Sequence, residues 1–487
     1  MSLSDVQQNA VRELVRVSPV AVELGERFAA AGHALHLVGG SVRDAMLGRL
    51  GDDLDLTTDA LPEQVLELTR GWAEATWETG IAFGTVGLAK RDFKLEVTTY
   101  RAEAYEPASR HPAVAYGTSL IDDLGRRDLT INAMAVALPD WRAPGAFVDP
   151  HAGLDDLGAR RLRTPGRAED SFSDDPLRML RVARFASQLG FDVDPAAVTA
   201  MTSMSQRLGI ISRERVKEEL SKLLLGAQPR RGLALLVDTG LAAHVLPELP
   251  ALRLEIDPEH EHKDVYEHTL QVLERAVRLE DDGPDLVLRL AALLHDIGKP
   301  RTRRHEPGGG VSFHHHEVVG AKMARKRLRE LTYGKDVVEA VALLTELHLR
   351  FHGYGGGTAW TDSAVRRYVT DAGPQLERLH RLVRSDCTTR NRRRAAALSS
   401  AYDDLEVRIA RLREQEDLDR IRPDLSGEQV MELLGLPPGR PVGMALRHLL
   451  ALRNEHGPLG QERARAELLG WAGEQGLTVP EPPVSPR

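Results

Sequence analysis

Apolar residues change their spacing about a third of the way along the chain. Leu35 to Val38 (LHLV) is a short apolar run closed by Gly39 and Gly40, and Asp53 to Thr57 (DLDLT) alternates polar with apolar. Gly84 to Tyr100 (GTVGLAKRDFKLEVTTY) reads as paired strands around a polar turn, and a helix is expected to open near Ser41. The first third is therefore mixed α/β. From about Pro165 apolar positions recur every three or four residues, as in DPLRMLRVARFASQLGF, SRERVKEELSKLLL and RRGLALLVDTGL, so the remainder is expected to be helical. The expected class is α+β. Residues 105–123, YEPASRHPAVAYGTSLIDD, keep no clean period and read as a mobile loop, and the PEPPVSPR ending reads as a disordered tail. Turns near 164–166, the LPELPALRLEIDPEH stretch near 246–260 and the arginine cluster near 395 suggest segments 1–164, 165–255, 256–395 and 396–487.

Composition narrows the chemistry. A chain of 487 residues with 42% hydrophobic content suggests about three domains. No apolar run approaches the ~18 residues of a bilayer span, and MSLSDVQQNAVREL carries no basic region followed by an apolar one, so a cytoplasmic protein without a membrane partner is expected. Cys387 is the sole cysteine, which excludes an intrachain disulfide and a thiolate zinc cluster. Any metal must use histidines and carboxylates. The formal charge of -8 argues against a broad, sequence-independent nucleic-acid coat. RTRR at 301–304, RKRLR at 325–329 and RNRRR at 390–394 are either a local basic groove or solvated helix faces.

Side chains of an extended segment alternate faces, so Asp53 and Asp55 point the same way, close together. Such a pair repels itself unless a cation lies between, and hard carboxylate oxygens suit Mg2+. A two-metal centre needs ions about 3.5–4 Å apart, bridged by carboxylates. Glu96, on a neighbouring expected strand, is the candidate third ligand, although only strand pairing would bring it there. Gly39 and Gly40 leave backbone N–H groups at a helix start to face an anion such as a triphosphate, and Arg43 adds a fork-shaped donor. A Gly-Gly turn or a D-x-D alone is ordinarily structural; their conjunction is informative.

GGSVRDAMLG followed by D-x-D, EVTTYR, RRDLTINAMA at 126–135 and VDPHAGLDDL at 148–157 resembles the nucleotidyltransferase head of class II tRNA CCA-adding enzymes and bacterial poly(A) polymerases. The resemblance continues through DDPLRMLRVARFASQLGF and SRERVKEEL. It implies a polymerase β-like head, an all-α neck, and attack of an RNA 3′-hydroxyl on the α-phosphate of CTP or ATP, with tRNA as partner. It further implies that Asp53 and Asp55 hold metal ions with Glu96 assisting, that Gly40, Arg43 and Arg127 bind the triphosphate, and that Asp128 and Asn132 shape the ribose and phosphate pocket. An E-D-x-x-R segment templates the incoming base in that family. Here it is Asp174, Asp175 and Arg178, with Asp174 one methylene shorter than the family glutamate. A carboxylate accepts from the exocyclic amine shared by cytosine and adenine while a guanidinium donates to a ring acceptor. Arg181 and Arg184 continue along one side of the helix, either as phosphate ligands or as snorkelling surface arginines.

A second constellation lies beyond. His268, the adjacent pair His295 and Asp296, His316, His348 and Asp386 each fall on an expected helix in apolar surroundings, and imidazole with carboxylate suits Mn2+, Ni2+, Co2+, Fe2+ or Zn2+. A lone histidine there is more often a hydrogen-bonded core residue. The ordered series resembles the HD superfamily of metal-dependent phosphohydrolases, which implies a basic site of His268, His295, Asp296 and Asp386, a second metal at His316 and His348, and a phosphate contact from Lys299. The implied activity is phosphatase, 2′-nucleotidase or 2′,3′-cyclic phosphodiesterase; a purely structural HD fold is the alternative. LSGEQVMELLGLPPGRPVGMALRHLL resembles the tRNA-contacting helical tail of related enzymes. Rival functions are a poly(A) polymerase, an enzyme adding only part of CCA, an HD hydrolase with a regulatory head, and a non-catalytic RNA chaperone, which would need no paired carboxylates. Oligomeric state has no sequence signal.

Overall fold

The strand expected at Leu35–Val38 forms, and the one across Asp53–Thr57 extends to Thr58, in a computed structural model that describes residues 5–49, 51–102, 115–254, 264–307, 310–354, 360–387, 391–416 and 422–477. The chain divides into two units, Met1–Pro250 and Ala251–Arg487. The main sheet of the first comprises β1 (Leu35–Val38), β2 (Asp53–Thr58), β3 (Ala75–Trp77), β4 (Thr85–Lys90), β5 (Phe93–Thr99), β6 (Ala135–Leu138) and β7 (Phe147–Val148). Their spatial order is β3-β4-β5-β2-β1-β6-β7. Neighbours pair antiparallel except β2 and β5, which run parallel. Leu54, Leu56, Leu95 and Val97 are buried on the core side, so the intervening polar residues of β2 and β5 share the opposite face.

The stretch 105–123 is not a loop throughout. Residues 105–114 lie outside the described residues, but Ala115–Tyr116 pairs antiparallel with Arg101–Ala102, and Leu120–Gly125 is helical. Ser119 caps that helix by accepting the Asp122 N–H at 3.3 Å, and Asp123 within it is fully buried. The absence of apolar period reflects an anchor that is polar. The helix expected near Ser41 runs Gly39–Met46, with Gly39 in the left-handed region at φ 64°.

Helices dominate after residue 165, yet Arg161–Leu162 pairs with Asp192–Val193 and Arg304–His305 with Val311–Ser312, both too short to leave an alternation. The neck helix Leu177–Leu189 packs against Arg213–Leu224 and Pro229–Asp238. In the second unit the boundary expected at 395 falls inside helix Arg392–Glu416, where Tyr402 stacks on Phe351 and donates to the Val383 carbonyl at 3.0 Å. A separate apolar cluster around Leu434, Leu449 and Leu468 holds the last three helices together. The PEPPVSPR tail lies outside the described residues. Among the described residues no helix is long and apolar enough to cross a membrane.

Helix His316–Glu330 approaches the turn after His295 and Asp296 backbone to backbone. A Cβ on Gly298 would meet the His316 carbonyl oxygen at 2.1 Å, and one on Gly320 would meet the Gly298 nitrogen at 3.3 Å. Gly298→Ala therefore has to push that helix away. It should lower the unfolding free energy of the second unit by about 1–3 kcal/mol, read by denaturant titration of the full chain.

Candidate active site and metal cluster

Register brings the head carboxylates together. In the parallel pairing Asp53 stands opposite Lys94 and Asp55 opposite Glu96, so Asp53, Asp55 and Glu96 occupy one face. Ser41 ties the turn to this strand: its hydroxyl accepts the Asp55 N–H at 2.8 Å and donates to the Asp53 carbonyl at 3.3 Å. The Gly40 N–H donates to Asp55 Oδ2 at 3.2 Å, so a carboxylate takes the donor expected to face a phosphate. A Cβ on either Gly39 or Gly40 would lie 3.2 Å from that same oxygen. Burial pushes the Asp55 carboxyl up against the lowering pull of Arg127, while burial, Asp55 and Asp53 together push Glu96 up. Repelling oxygens of this kind fit a divalent cation.

Asp55 and Glu96 line a cleft of about 650 Å³ whose walls include nine cationic side chains and four acidic ones. The cleft is therefore positive although the chain carries -8. Most of these cations are held from behind. Fully buried Asp123 receives Arg126 at 2.6 Å and Arg127 at 3.2 Å. Arg43 grips its neighbour Asp44 through two nitrogens and donates to Asn132 Oδ1 at 2.6 Å. Asn132 in turn donates to Asp128 Oδ1 at 2.9 Å, and Arg181 Nε donates to Asp128 Oδ2 at 2.7 Å. Burial alone would raise the Asp128 carboxyl, but Arg181 and Asn132 hold it well below the usual carboxylate range. Arg184 sits 3.1 Å from Glu219 and over the Phe185 ring, so the arginines expected either to reach phosphates or to snorkel line the cleft in ion pairs.

The neck contributes another wall of the cleft. Asp175 lies between helices Ala168–Asp174 and Leu177–Leu189; its Oδ1 accepts the Leu177 N–H at 3.0 Å and its Oδ2 accepts from Arg215 at 2.7 Å. Arg178 donates to Ser171 Oγ at 2.9 Å and to the Arg126 carbonyl at 2.6 Å. Asp174 stands 3.9 Å from Arg178, an ion pair without a hydrogen bond. Sequence reasoning missed Arg101, Arg126, Arg215 and Lys222, all cleft-lining. All four lay inside quoted segments, EVTTYR, RRDLTINAMA and SRERVKEELSKLLL, and that adjacency was the available signal.

In the second unit the six expected residues converge. His268 Nε2 is 2.9 Å from Asp386 and 3.5 Å from Asp296, His295 Nε2 is 3.2 Å from Asp296, and His316 Nε2 is 3.2 Å from the other Asp296 oxygen. They form two sets, His268 with His295 and Asp386, and Asp296 with His316 and His348. Four of the six sit at helix ends, while His268 lies within helix Val265–Arg278: His295 and His348 follow the last helical residue, His316 opens a helix and Asp386 closes one. There each ring can turn its Nδ1 onto the carbonyl three residues back. His295 reaches Ala292 at 2.8 Å, His316 reaches Phe313 at 2.8 Å and His348 reaches Thr345 at 2.6 Å, leaving every Nε2 directed inward. Asp296 Oδ1, His316 Nε2 and His348 Nε2 are buried without a hydrogen-bond partner, and burial with His295 nearby pushes His348 down to about 3. Convergent imidazole nitrogens and carboxylate oxygens, buried with no hydrogen bond to satisfy them, fit metal ions.

Three family models match the chain: the poly A polymerase head domain over residues 35–163, the probable RNA and SrmB-binding site of polymerase A over 190–252, and the HD domain over 265–391. A CC-adding tRNA nucleotidyltransferase of Thermus thermophilus is 35% identical across 90% of this chain and 93% of its own. An A-adding tRNA nucleotidyltransferase of Deinococcus radiodurans is 34% identical across 90% and 95%. A CCA-adding enzyme of Levilactobacillus brevis is 42% identical over 43% of this chain and 51% of its own. Among solved structures, the Bacillus stearothermophilus CCA-adding enzyme in complex with CTP superposes with a TM-score of 0.67 at 26% identity, covering 94% of this chain and 98% of that one.

Two neighbouring sets, with Asp296 in one and its Oδ2 3.2 Å from His295 of the other, should take up two equivalents of Mn2+ in calorimetric titration, measured in an Asp53→Ala/Asp55→Ala background that removes the head carboxylates. His316→Ala with His348→Ala should leave one equivalent. Asp296→Ala should weaken both by at least about 10-fold.

Proposed function

The chain belongs to the family of tRNA nucleotidyltransferases, and from that premise we propose that it builds the CCA end of tRNA from CTP and ATP without a nucleic-acid template. The RNA 3′-hydroxyl attacks the α-phosphorus, the bond to the β-phosphate oxygen breaks, and pyrophosphate leaves. The single observation carrying this reading is Asp55 opposite Glu96, with Asp53 on the same face, at the wall of a positive cleft. Mg2+ held by Asp53 and Asp55, with Glu96 assisting, would lower the pKa of the attacking hydroxyl and take up charge on the leaving oxygen.

The protein supplies position and charge. Arg43 and Arg127, with the backbone at Gly39 and Gly40, hold the triphosphate; Asp128 and Asn132 fix Arg181 and Arg43 around the ribose; Arg181 and Arg184 add charge deeper in the cleft. Asp175 and Arg178 read the base edge that cytosine and adenine share. A base reaching Asp175 Oδ2 displaces Arg215, so recognition exchanges one hydrogen bond for another. Residues 1–164 serve as transferase head, 165–255 as base-selecting neck, 256–395 as hydrolase and 396–487 as the tRNA-contacting tail. We place the enzyme in the cytoplasm with its substrate.

For the second unit we propose phosphoester hydrolysis at RNA ends, as phosphatase, 2′-nucleotidase or 2′,3′-cyclic phosphodiesterase. A transition-metal pair (Mn2+, Ni2+, Co2+, Fe2+ or Zn2+) at His268, His295, Asp296, His316, His348 and Asp386 would bring the pKa of a bound water toward neutrality. Lys299, 2.6 Å from Asp296, offers a charge for the phosphate. Partial addition, CC alone or A alone, is the second reading, favoured by the names of the two relatives that span most of the chain.

Labelled CTP and ATP offered with tRNA lacking CCA, with tRNA ending in CC, and with a generic oligonucleotide separate these readings. Two C and one A on tRNA alone are expected. Arrest after CC, or activity only on the CC-ended substrate, would establish partial addition, and long A tracts on any RNA would establish a poly(A) polymerase. Asp55→Ala should lower addition by about 100-fold or more while hydrolysis of 2′,3′-cyclic phosphate persists, and Asp296→Ala should do the reverse.

A further inference from the structure

Aromatic residues make up 5% of the chain, and among the described large hydrophobics that stay exposed only two are aromatic, Phe83 at 48% and Tyr116 at 41%. The fold brings both to one place. Phe83 ends a short turn of helix just before Gly84, and the Tyr116 ring lies so close over Gly84 that a Cβ there would meet its Cε1 at 2.9 Å. Gly84 holds a left-handed φ of 78°, so both space and backbone reserve that position for glycine.

This aromatic corner borders the cleft. Tyr116 is directly opposite Arg101 in their strand pair, and Arg101 lines the cleft and donates to Thr85 Oγ1 at 3.4 Å. Thr85 stands opposite Thr98 and Gly87 opposite Glu96, so β4 and β5 lead from the Glu96 carboxylate through Thr98 and Thr85 to Gly84. Phe83 is four residues from Gly87, at most about 13 Å along the strand. Arg101 and Arg126 supply cationic neighbours at that edge of the cleft.

Resting on the transferase function above, we propose that Phe83 and Tyr116 form a stacking platform for the last bases of the RNA acceptor strand, with Arg101 on an adjacent phosphate. Single-stranded nucleic acid is held by aromatic faces under the bases and cations along the backbone, and an aromatic platform accepts any base. The same surface therefore serves an end that changes sequence as nucleotides are added.

The test is binding of tRNA lacking CCA to the full chain in EDTA, by anisotropy across a salt series, beside CTP affinity in Mg2+. Tyr116→Ala and Phe83→Ala should each weaken tRNA binding by about 5- to 100-fold with CTP affinity kept within twofold, and Tyr116→Phe should restore it. The salt slope should stay unchanged, because stacking releases no counterions. Unaltered tRNA affinity in both alanine variants would overturn the platform, as would an equal loss of CTP binding, which would assign the corner to the incoming nucleotide or to folding. A wild-type chain that binds tRNA through these residues yet adds no nucleotide would refute the transferase function and leave the platform intact.

Discussion

Asp55 and Glu96 face each other across the one parallel pairing in the main sheet, and the cations around them offset their burial and mutual repulsion only in part. Burial raises both carboxyls, and the compensation for Asp55 comes from Arg127, the Gly40 N–H and Arg43, which also line the cleft. A folded chain that leaves such oxygens crowded is poised for cations it does not itself contain. The second unit meets the same constraint with different atoms. Its carboxylates are answered by four imidazoles and Lys299, and the three histidines tied through Nδ1 to backbone carbonyls have no freedom to turn away.

The cleft cations follow from the opposite requirement. Guanidinium groups gathered in one cleft repel one another and must be held in place, and most of them lean on an acidic or carbonyl group behind, Arg101 on the Thr85 hydroxyl. Asp123 is the clearest case, a fully buried carboxylate that accepts from Arg126, Arg127, Thr57 and the Arg101 N–H. Removing a residue of that kind strands buried charge, which typically costs about 3–5 kcal/mol, so position and stability are coupled at the same side chain. An acidic protein can thus present a strongly basic interior surface, because its acids are spent holding its bases.

Much of this was legible in one dimension and some was not. The D-x-D spacing and the hairpin across residues 84–100 are local, and periodicity reports local geometry faithfully. The pairing of β2 with β5 is not local: parallel neighbours are joined by a long crossover, here containing a helix and two further strands, so nothing in the spacing of Asp55 and Glu96 encodes their juxtaposition. The ordered histidines of the second unit were recognisable as a series, yet the placement of three of them at helix ends depends on where each helix stops, which apolar period marks poorly. Asp123 escaped notice for a related reason. Its segment buries a charged residue, and a pattern of apolar positions is silent about an anchor made of ion pairs.

Asp174 shows how a departure from a motif can be absorbed. Its carboxylate, one methylene short, stays 3.9 Å from Arg178 and does not hydrogen-bond to it. The guanidinium is fixed instead by Ser171 one helical turn earlier and by the Arg126 carbonyl on the head side of the cleft. Orientation by a hydroxyl and a backbone carbonyl costs less desolvation than orientation by a second buried charge, and it ties Arg178 to the segment that carries Arg127 and Asp128. A shift in that segment therefore moves Arg178 together with Arg127 and Asp128, so one displacement reaches two walls of the cleft at once.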